Sequence, residues 1–277
     1  NQIAIIPVNG LITPQKSQFV RECVNHVLNN DSYQAVVLRV DSPGGAVTPS
    51  DEIWYQIKRL KDANLPVVAS YGSLAASGGY YISCHFDTIV GQETCVTGSI
   101  GVIAQIFTME ELANKVGIEP VTLVASGSPD KDVANNVFRS WKEQDKEKVR
   151  QMLDSAYSVF RKRVKNGRPG AFDDDTSLAK VTDGSTFTAE KAVENGLIDR
   201  IGYLDDAITE AEKLAKIRTG KSTVNVLRWP PSFLPRTRSL QTIADGESPT
   251  PGNWLDADRL RNVVTELSHP RVMYLMQ

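Results

Sequence analysis

Apolar and polar positions along the chain switch between a period of two and a period near four, marking strands and helices in alternation. Ile3 to Ile12 is rich in branched residues and predicts a strand ending near Asn9-Gly10. The next segment sets Phe19, Val20, Cys23, Val24, Val27 and Leu28 on one face at helical spacing, and Asn29-Asn30-Asp31 closes it. Ala35 to Val40 is almost continuously apolar, as in a strand covered on both faces. Asp41-Ser42-Pro43-Gly44-Gly45 is a sharp turn. After it, Thr48 as N-cap with Pro49 at the first helical position predicts a helix bearing Ile53, Trp54, Ile57 and Leu60. A strand over Val67 to Tyr71 runs into the small-residue segment Tyr71 to Tyr81. That segment opens an apolar stretch of helical length through Ile82 and Phe86, followed by a short strand near Thr88 to Val90. Alternation with short connections predicts parallel β-α units stacked in an α/β layer fold.

Farther along, Thr97 to Val102 is a tight turn entering a strand, Met109 to Val116 a short helix, and Pro120 to Ala125 a further strand. The polar loop Ser126 to Asp132 comes next. A long helix from about Ser140 to Lys165 carries Val149, Met152, Leu153, Ala156, Phe160 and Val164 on one side; its charged side is an ordinary solvated face. Two shorter helices surround Thr188 to Ala192 and Leu204 to Lys216, joined by the turn Gly196-Leu197-Ile198-Asp199. Past Ser222 the pattern weakens into Trp229-Pro230-Pro231 and Glu247 to Gly252, which have linker composition. The expected organisation is a domain over residues 1–221, with a helical C-terminal part. Residues 222–277 form a partly irregular extension ending in a short helix.

Composition narrows the function classes. The chain has 277 residues, 41% of them apolar, enough for a substantial core without disulfides. Lys plus Arg number 31 against 33 for Asp plus Glu, so a dominant nucleic-acid-binding surface is not expected. Cys23, Cys84 and Cys95 lie in apolar surroundings without zinc spacing and read as small buried hydrophobes; no metal or cofactor site is expected. No run approaches the length of a membrane span. The chain opens on Asn1 rather than Met, which reads as a processed or trimmed piece, so a membrane anchor could lie outside it.

Candidate chemistry centres on Ser77. Ala75 and Ala76 before it and Gly78 and Gly79 after it leave room for another backbone, and a strand-to-helix turn exposes a hydroxyl where a helix N-terminus favours negative charge. On this stretch alone a small-residue packing seam fits equally well. A serine nucleophile needs a base. His26 lies early on the first helix, His85 more than two helical turns beyond Ser77, and His269 in the tail, so none is well placed. Lys131, in a Gly- and Pro-containing loop after a strand, is the remaining candidate; position alone also fits a solvated loop cation. The pair works only if the lysine is largely neutral, which requires a dry site.

Taken together, D-S-P-G-G (41–45), S-L-A-A-S-G-G-Y-Y (73–81), T-G-S-I-G-V (97–102) and S-G-x-x-x-K-D (126–132), in this order, resemble the signal peptide peptidase A family of serine-lysine proteases. F-T-A-E-K-A-V-E-N-G-L-I-D (187–199) is similar to its downstream signature. The likeness covers about residues 1–216. It implies a ClpP/crotonase-like α/β fold and a membrane-associated endopeptidase, its active domain extracytoplasmic and this chain itself soluble, that degrades residual signal peptides and other hydrophobic segments. By position, Ser77 matches the nucleophile, Lys131 the general base, and Ser99 a hydroxyl that orients the lysine. Backbone N–H groups of Gly45, Gly44 and Gly78 match the oxyanion hole. The resemblance further implies a homo-oligomeric ring or dome and no cofactor. The loop before Lys131 is longer than in short family members, and in long, duplicated members the lysine comes from the other half of the chain. A catalytically silent peptide-binding or assembly half therefore stays open as the rival reading, and an acyl-CoA enzyme of the crotonase type as a third.

Overall fold

Both faces of the first strand are buried, and the layering results from that. In the computed structural model, which describes residues 1–133, 136–172, 174–228 and 272–275, β1 (Gln2–Asn9) turns Ala4, Ile6 and Val8 into one apolar cluster and Ile3 and Ile5 into another. After it come α1 (Pro14–Leu28), β2 (Tyr33–Ser42), β3 (Gly44–Ala46), α2 (Val47–Asp62), β4 (Val67–Ala76), α3 (Gly78–Tyr81) and β5 (Thr88–Gly91). Next are β6 (Val96–Gly98), β7 (Ile103–Ala104), α4 (Glu110–Lys115), α5 (Glu143–Gly167), α6 (Asp175–Val181) and β8 (Thr186–Thr188). The chain continues through α7 (Ala189–Glu194), β9 (Arg200–Ile201), α8 (Leu204–Leu214) and β10 (Thr223–Val226), and β11 (Val272–Leu275) is the last element.

The main sheet runs in the order β10-β1-β2-β4-β5-β9, every neighbour parallel. Ala207 and Ala211 of α8 cover one face, over Ile3, Ala35, Val37, Val68 and Val90. Phe19, Val20 and Val24 of α1 and Ile53, Ile57 and Leu60 of α2 cover the other. This two-sided cover is why β2 reads as an unbroken apolar run. The second half of β4 pairs with β6 instead of β5, and β8 pairs antiparallel with β6.

The chain separates into two units. The first comprises Asn1–Ile103, Leu153–Pro231 and Val272–Gln277; the second comprises Ala104–Met152 and Ser232–Arg271. Among the described residues no helix is long and apolar enough to cross a membrane.

Several local expectations are corrected. α2 starts at Val47 with Ala46 as its N-cap and no side-chain cap, because the Ala46 N–H is taken by the Ile12 carbonyl at 3.0 Å and the helix begins where that bridge ends. The helix after Ser77 is one turn, Gly78–Tyr81, so His85 lies in the turns beyond it. Residues 120–125 form no strand: Val121 and Leu123 are 79% and 92% exposed and have no ladder partner among the described residues. On the expected apolar side of α5, Phe160 and Val164 are buried, Val149, Leu153 and Ala156 are partly buried and Met152 is exposed. Instead of a terminal helix, Val272–Leu275 is a strand; the other tail positions expected to be irregular or helical, from 229 to 271, lie outside the described residues.

Candidate active site

A mismatch between β2 and β4 sets the site. Val40 pairs with Tyr71, but the next partners are Ser42 and Ala75, so β4 carries extra residues over this interval. Such a bulge bends a strand and re-aims the residues beyond it. Asp41 fastens it: its carboxylate accepts from the Ser73 hydroxyl at 2.8 Å and the Leu74 N–H at 3.2 Å. A Cβ on Gly72 would lie 2.7 Å from the same carboxylate, so this position has no room for a side chain.

Beyond the bulge β4 leaves β5 and pairs with β6, Ala76 opposite Gly98. The Thr97 hydroxyl donates to the Ala75 carbonyl at 2.6 Å and the Ser77 N–H to the Gly98 carbonyl at 2.8 Å. Ser77 then takes φ 53° and ψ −116°, a region that favours glycine, at the start of α3. Its hydroxyl is buried and has no hydrogen-bond partner among the described residues. Ser99 also has a positive φ, 49°, directly after Gly98 at 88°, and its N–H donates to the Ser185 carbonyl at 2.7 Å. Ser77 and Ser99 thus leave neighbouring strands through equally unusual backbone.

The glycine turn lies on the other side of Ser77. Gly44 has φ 105° and its N–H donates to the Ser42 hydroxyl at 3.1 Å, which donates in turn to the Gly10 carbonyl at 2.7 Å. Gly45 forms a bridge to Ile12, and a Cβ on it would lie 2.2 Å from the Ile12 carbonyl oxygen. A Cβ on Gly78 would meet the Ser50 hydroxyl at 2.8 Å and the Gly44 Cα and Gly45 nitrogen at 3.2 Å each. Glycine at 44, 45 and 78 is therefore what lets the two turns close on one another. Gly78 opens the first turn of α3, where N–H groups have no intrahelical acceptor.

The titratable groups sort by environment. Burial pushes the Cys23, Cys84 and Cys95 thiols up to about 12, which suits packing rather than nucleophilic chemistry. His85 packs against Trp54 and Phe86, and both ring nitrogens lack partners among the described residues. Burial, with Lys61, Arg163 and Lys58 nearby, lowers its pKa to about 3. His26 reaches the Tyr33 hydroxyl at 3.4 Å, on α1; His269 lies outside the described residues. The first unit brings together Ser77, Ser99, Gly44, Gly45 and Gly78. Lys131 belongs to the second unit, exposed on a turn closed by its N–H donating to the Ser128 carbonyl at 3.1 Å. Its neighbour Asp130 pairs with Lys148 at 2.6 Å.

Three supporting residues escaped the sequence reading. Asp41 was legible only as part of a turn, Thr97 as part of another, and Ser50 as a polar position on α2. Their partners lie on other strands, so spacing carried no signal of them. Asp199, the last residue of the downstream motif, proves structural in its contacts. Arg168 donates to both its oxygens at 3.0 and 2.7 Å, and it accepts the Ile89 N–H at 2.7 Å.

The model of Peptidase family S49 matches residues 59–218. Over 248 residues the chain is 34% identical to "Putative protease slr0021" of Synechocystis sp., covering 88% of this chain and 87% of the relative. It is 33% identical to "Putative signal peptide peptidase SppA" of Enterococcus faecium, covering 78% of this chain and 64% of the relative. Against "Serine protease SPPA, chloroplastic" of Arabidopsis thaliana it is 32% identical over 85% of this chain but 36% of the relative. The chain thus spans most of the first relative, under two thirds of the second and about a third of the third. Among solved structures, the 1510-N membrane-bound stomatin-specific protease superposes with TM-scores of 0.52 and 0.50 at 15% and 16% identity. The two superpositions cover 82% and 84% of this chain and 98% and 94% of the other; the second is a complex with a substrate peptide. This likeness bears out the α/β fold of ClpP/crotonase-like type.

Proposed function

Since the chain belongs to peptidase family S49, the SppA family of serine proteases, we propose that it is an endopeptidase cleaving extended, hydrophobic peptides through a Ser77-Lys131 dyad. The observation that carries the reading is the Ser77 hydroxyl, buried, unpaired among the described residues, on positive-φ backbone beside the Gly44-Gly45 turn. Lys131, as the general base of this proposal, takes the Ser77 proton, with Ser99 orienting the amine. The Ser77 oxygen attacks the substrate carbonyl, and the Gly45 and Gly78 N–H groups, with Gly44 shaping the turn, hold the oxyanion. Lys131 then protonates the leaving amine as the C–N bond breaks. Water, deprotonated by the same amine, hydrolyses the acyl-serine. Aligned donors of this kind typically contribute about 10²–10³ in rate.

Residual signal peptides are the substrate class that the SppA relationship favours, and residues 1–221 are the catalytic domain of this proposal. Membrane association, through a segment outside this chain, belongs to the same reading. Self-association into a homo-oligomer belongs to the same reading. The test is cleavage of an apolar reporter peptide by the Ser77→Ala and Lys131→Ala variants, with fluorophosphonate labelling of Ser77. Loss of both cleavage and labelling in each variant is expected, with wild-type activity rising towards alkaline pH. Near-normal cleavage by Lys131→Ala sinks the dyad. Wild-type protein that neither cleaves nor labels points to the silent assembly half instead.

A further inference from the structure

α2 and α5 flank a cleft of about 680 Å³ whose walls include neither Ser77 nor the Gly44-Gly45 turn and lie wholly within the first unit. Trp54 of α2, His85 and Phe86 of the turns after α3, and Arg163 of α5 form its sides. α5 comes this close because residue 167 is glycine: a Cβ there would lie 2.5 Å from the Cys84 carbonyl oxygen. Small-molecule sites typically have about 300–1,000 Å³.

Buried polar atoms without a partner concentrate here. Among the described residues seven side-chain nitrogens and oxygens are in that state. One is the Ser77 hydroxyl, and four belong to three walls of the cleft: Trp54 Nε1, His85 Nδ1 and Nε2, and Arg163 Nε. Buried polar groups are normally paired, so a cluster of orphans marks a place where a ligand can supply the partner.

Four cations line the cleft, and three are neutralised within it. Lys58 is held by Asp62 at 2.6 Å, Lys61 by Asp87 at 3.0 Å and by the His85 carbonyl at 2.7 Å, and Arg168 by both oxygens of Asp199. All three carboxylates are themselves cleft residues. Arg163 differs: its guanidinium carbon lies 3.3 Å from the centroid of the Trp54 ring, and its carboxylate partner, Asp51, stands outside the cleft at 3.4 Å. A guanidinium stacked in this way presents its edge N–H groups to a planar acceptor. The His85 ring is 5.0 Å from that of Trp54 and 5.2 Å from that of Phe86. Burial, with Lys61, Arg163 and Lys58 nearby, keeps it neutral, so one ring nitrogen donates and the other accepts. One uncancelled cation, a neutral N–H and aromatic walls together suit one oxyanion group on a flat apolar body.

We propose that the cleft between Trp54, His85 and Arg163 is a binding site for a small aromatic oxyanion, a carboxylate or a phosphate monoester. Arg163 takes its charge, and its ring stacks among Trp54, His85 and Phe86. Arg163 is also the cation beside Asp51, which accepts the Tyr81 hydroxyl at the end of α3, so the cleft shares a charge with the segment that follows Ser77. The binding is independent of the endopeptidase reading.

The test is isothermal titration of the full chain with benzoate, phenyl phosphate, inorganic phosphate and uncharged benzamide. Benzoate or phenyl phosphate is expected to bind at about 0.1–1 mM, as befits so few atoms, and the tighter of the two identifies the oxyanion. Benzamide lacks the charge and inorganic phosphate the ring, so each should bind about tenfold more weakly or worse. Arg163→Gln should weaken the tighter probe about tenfold and His85→Phe about threefold, whereas Ser77→Ala should bind it as the parent chain does. The ring nitrogen NMR signals of His85, one of three histidines, are assigned by their loss in His85→Phe. They should move when the probe is added to the unaltered chain, a readout that does not require Arg163→Gln to fold. No binding of either probe at about 10 mM, equal binding by Arg163→Gln or of benzamide, or unmoved His85 signals overturns the proposal.

Discussion

The Ser77 N–H donates to the Gly98 carbonyl at 2.8 Å. That bond ties the candidate nucleophile to the residue before Ser99, and both serines adopt positive φ where they leave their strands. A non-glycine residue held there costs about 1–3 kcal/mol and persists only where surrounding contacts enforce it. Here the enforcing contacts are the Ser77–Gly98 bond, the Thr97 hydroxyl on the Ala75 carbonyl, and the Asp41-fastened bulge.

Strain at Ser77 gives a prediction that separates stability from activity. Ser77→Ala and Ser77→Gly both lack the hydroxyl, and each is expected to lose about 10⁴-fold or more in cleavage rate. Glycine relieves the backbone strain but costs about 0.5–1 kcal/mol through the unfolded chain. Ser77→Gly should therefore be more stable than Ser77→Ala by about 1 kcal/mol, or about 2–4 °C in Tm. Equal Tm values would show that the conformation is not strained.

Elements were legible in the sequence where their signals are local. Ile3 to Ile12, Ala35 to Val40 and Val67 to Tyr71 announced strands because their own residues are apolar or branched, and Ala35 to Val40 announced cover on both faces. The turns at Gly44-Gly45 and Gly78-Gly79 were legible because only glycine tolerates the close approach there. Features that depend on distant partners could not be read. The bulge that aims Ser77 needs Asp41 on β2, and β6 and β8 are three-residue strands too short for a periodic pattern. Pro120 to Ala125 looked like a strand because its side chains are strand formers, but a strand also needs a neighbour. The last element was misjudged for the opposite reason: Val272–Leu275 forms a strand because β3 and β7 offer it edges.

Gly78→Ala is expected to damage catalysis more than folding. The added methyl group would sit 2.8 Å from the Ser50 hydroxyl, which donates to the Ala46 carbonyl at 2.9 Å, and 3.2 Å from the Gly44 and Gly45 backbone, which cannot yield without moving the proposed donor. A loss of about 10²-fold in kcat is expected, comparable to removal of one oxyanion donor, with KM little changed. Adding Ser50→Ala should restore stability and leave the rate defect. Recovery of kcat in the double variant would place the fault in Ser50 rather than in the glycine backbone.

His85 sets an acid-sensitivity prediction. Its folded pKa, about 3, lies below the ordinary value of 6.5, because burial and the positive charges of Lys61, Arg163 and Lys58 disfavour the imidazolium. The unfolded chain therefore binds the proton more readily. The stabilisation is complete above pH 6.5 and is lost progressively as the pH falls towards 3. Each pH unit within that window is worth at most about 1.4 kcal/mol, so lowering the pH from 6.5 to 5 should cost up to about 2 kcal/mol. In His85→Phe, whose ring can occupy the same place against Trp54 and Phe86, that slope should vanish. Parallel stability curves for the two proteins over this range would remove His85 as the cause.

Asp199 closes a motif that reads like part of a functional signature, yet its contacts are architectural. Its carboxylate receives two bonds from Arg168, whose Nε also donates to the Gly196 carbonyl at 3.0 Å, and it caps the N–H of Ile89 at the start of β5. Arg168 is only 9% exposed, so removing its partner strands a charge with little access to water. Asp199→Ala is expected to cost about 3 kcal/mol in equilibrium unfolding, somewhat moderated because the carboxylate itself is part-exposed. Arg168→Met with Asp199→Ala should cost less than the sum of the two single changes, because no uncompensated charge remains. Cleavage per folded molecule should stay within about twofold in all three, since β5 pairs with the half of β4 that precedes the bulge. A loss of about tenfold or more in kcat at full folding would instead make Asp199 part of the chemistry.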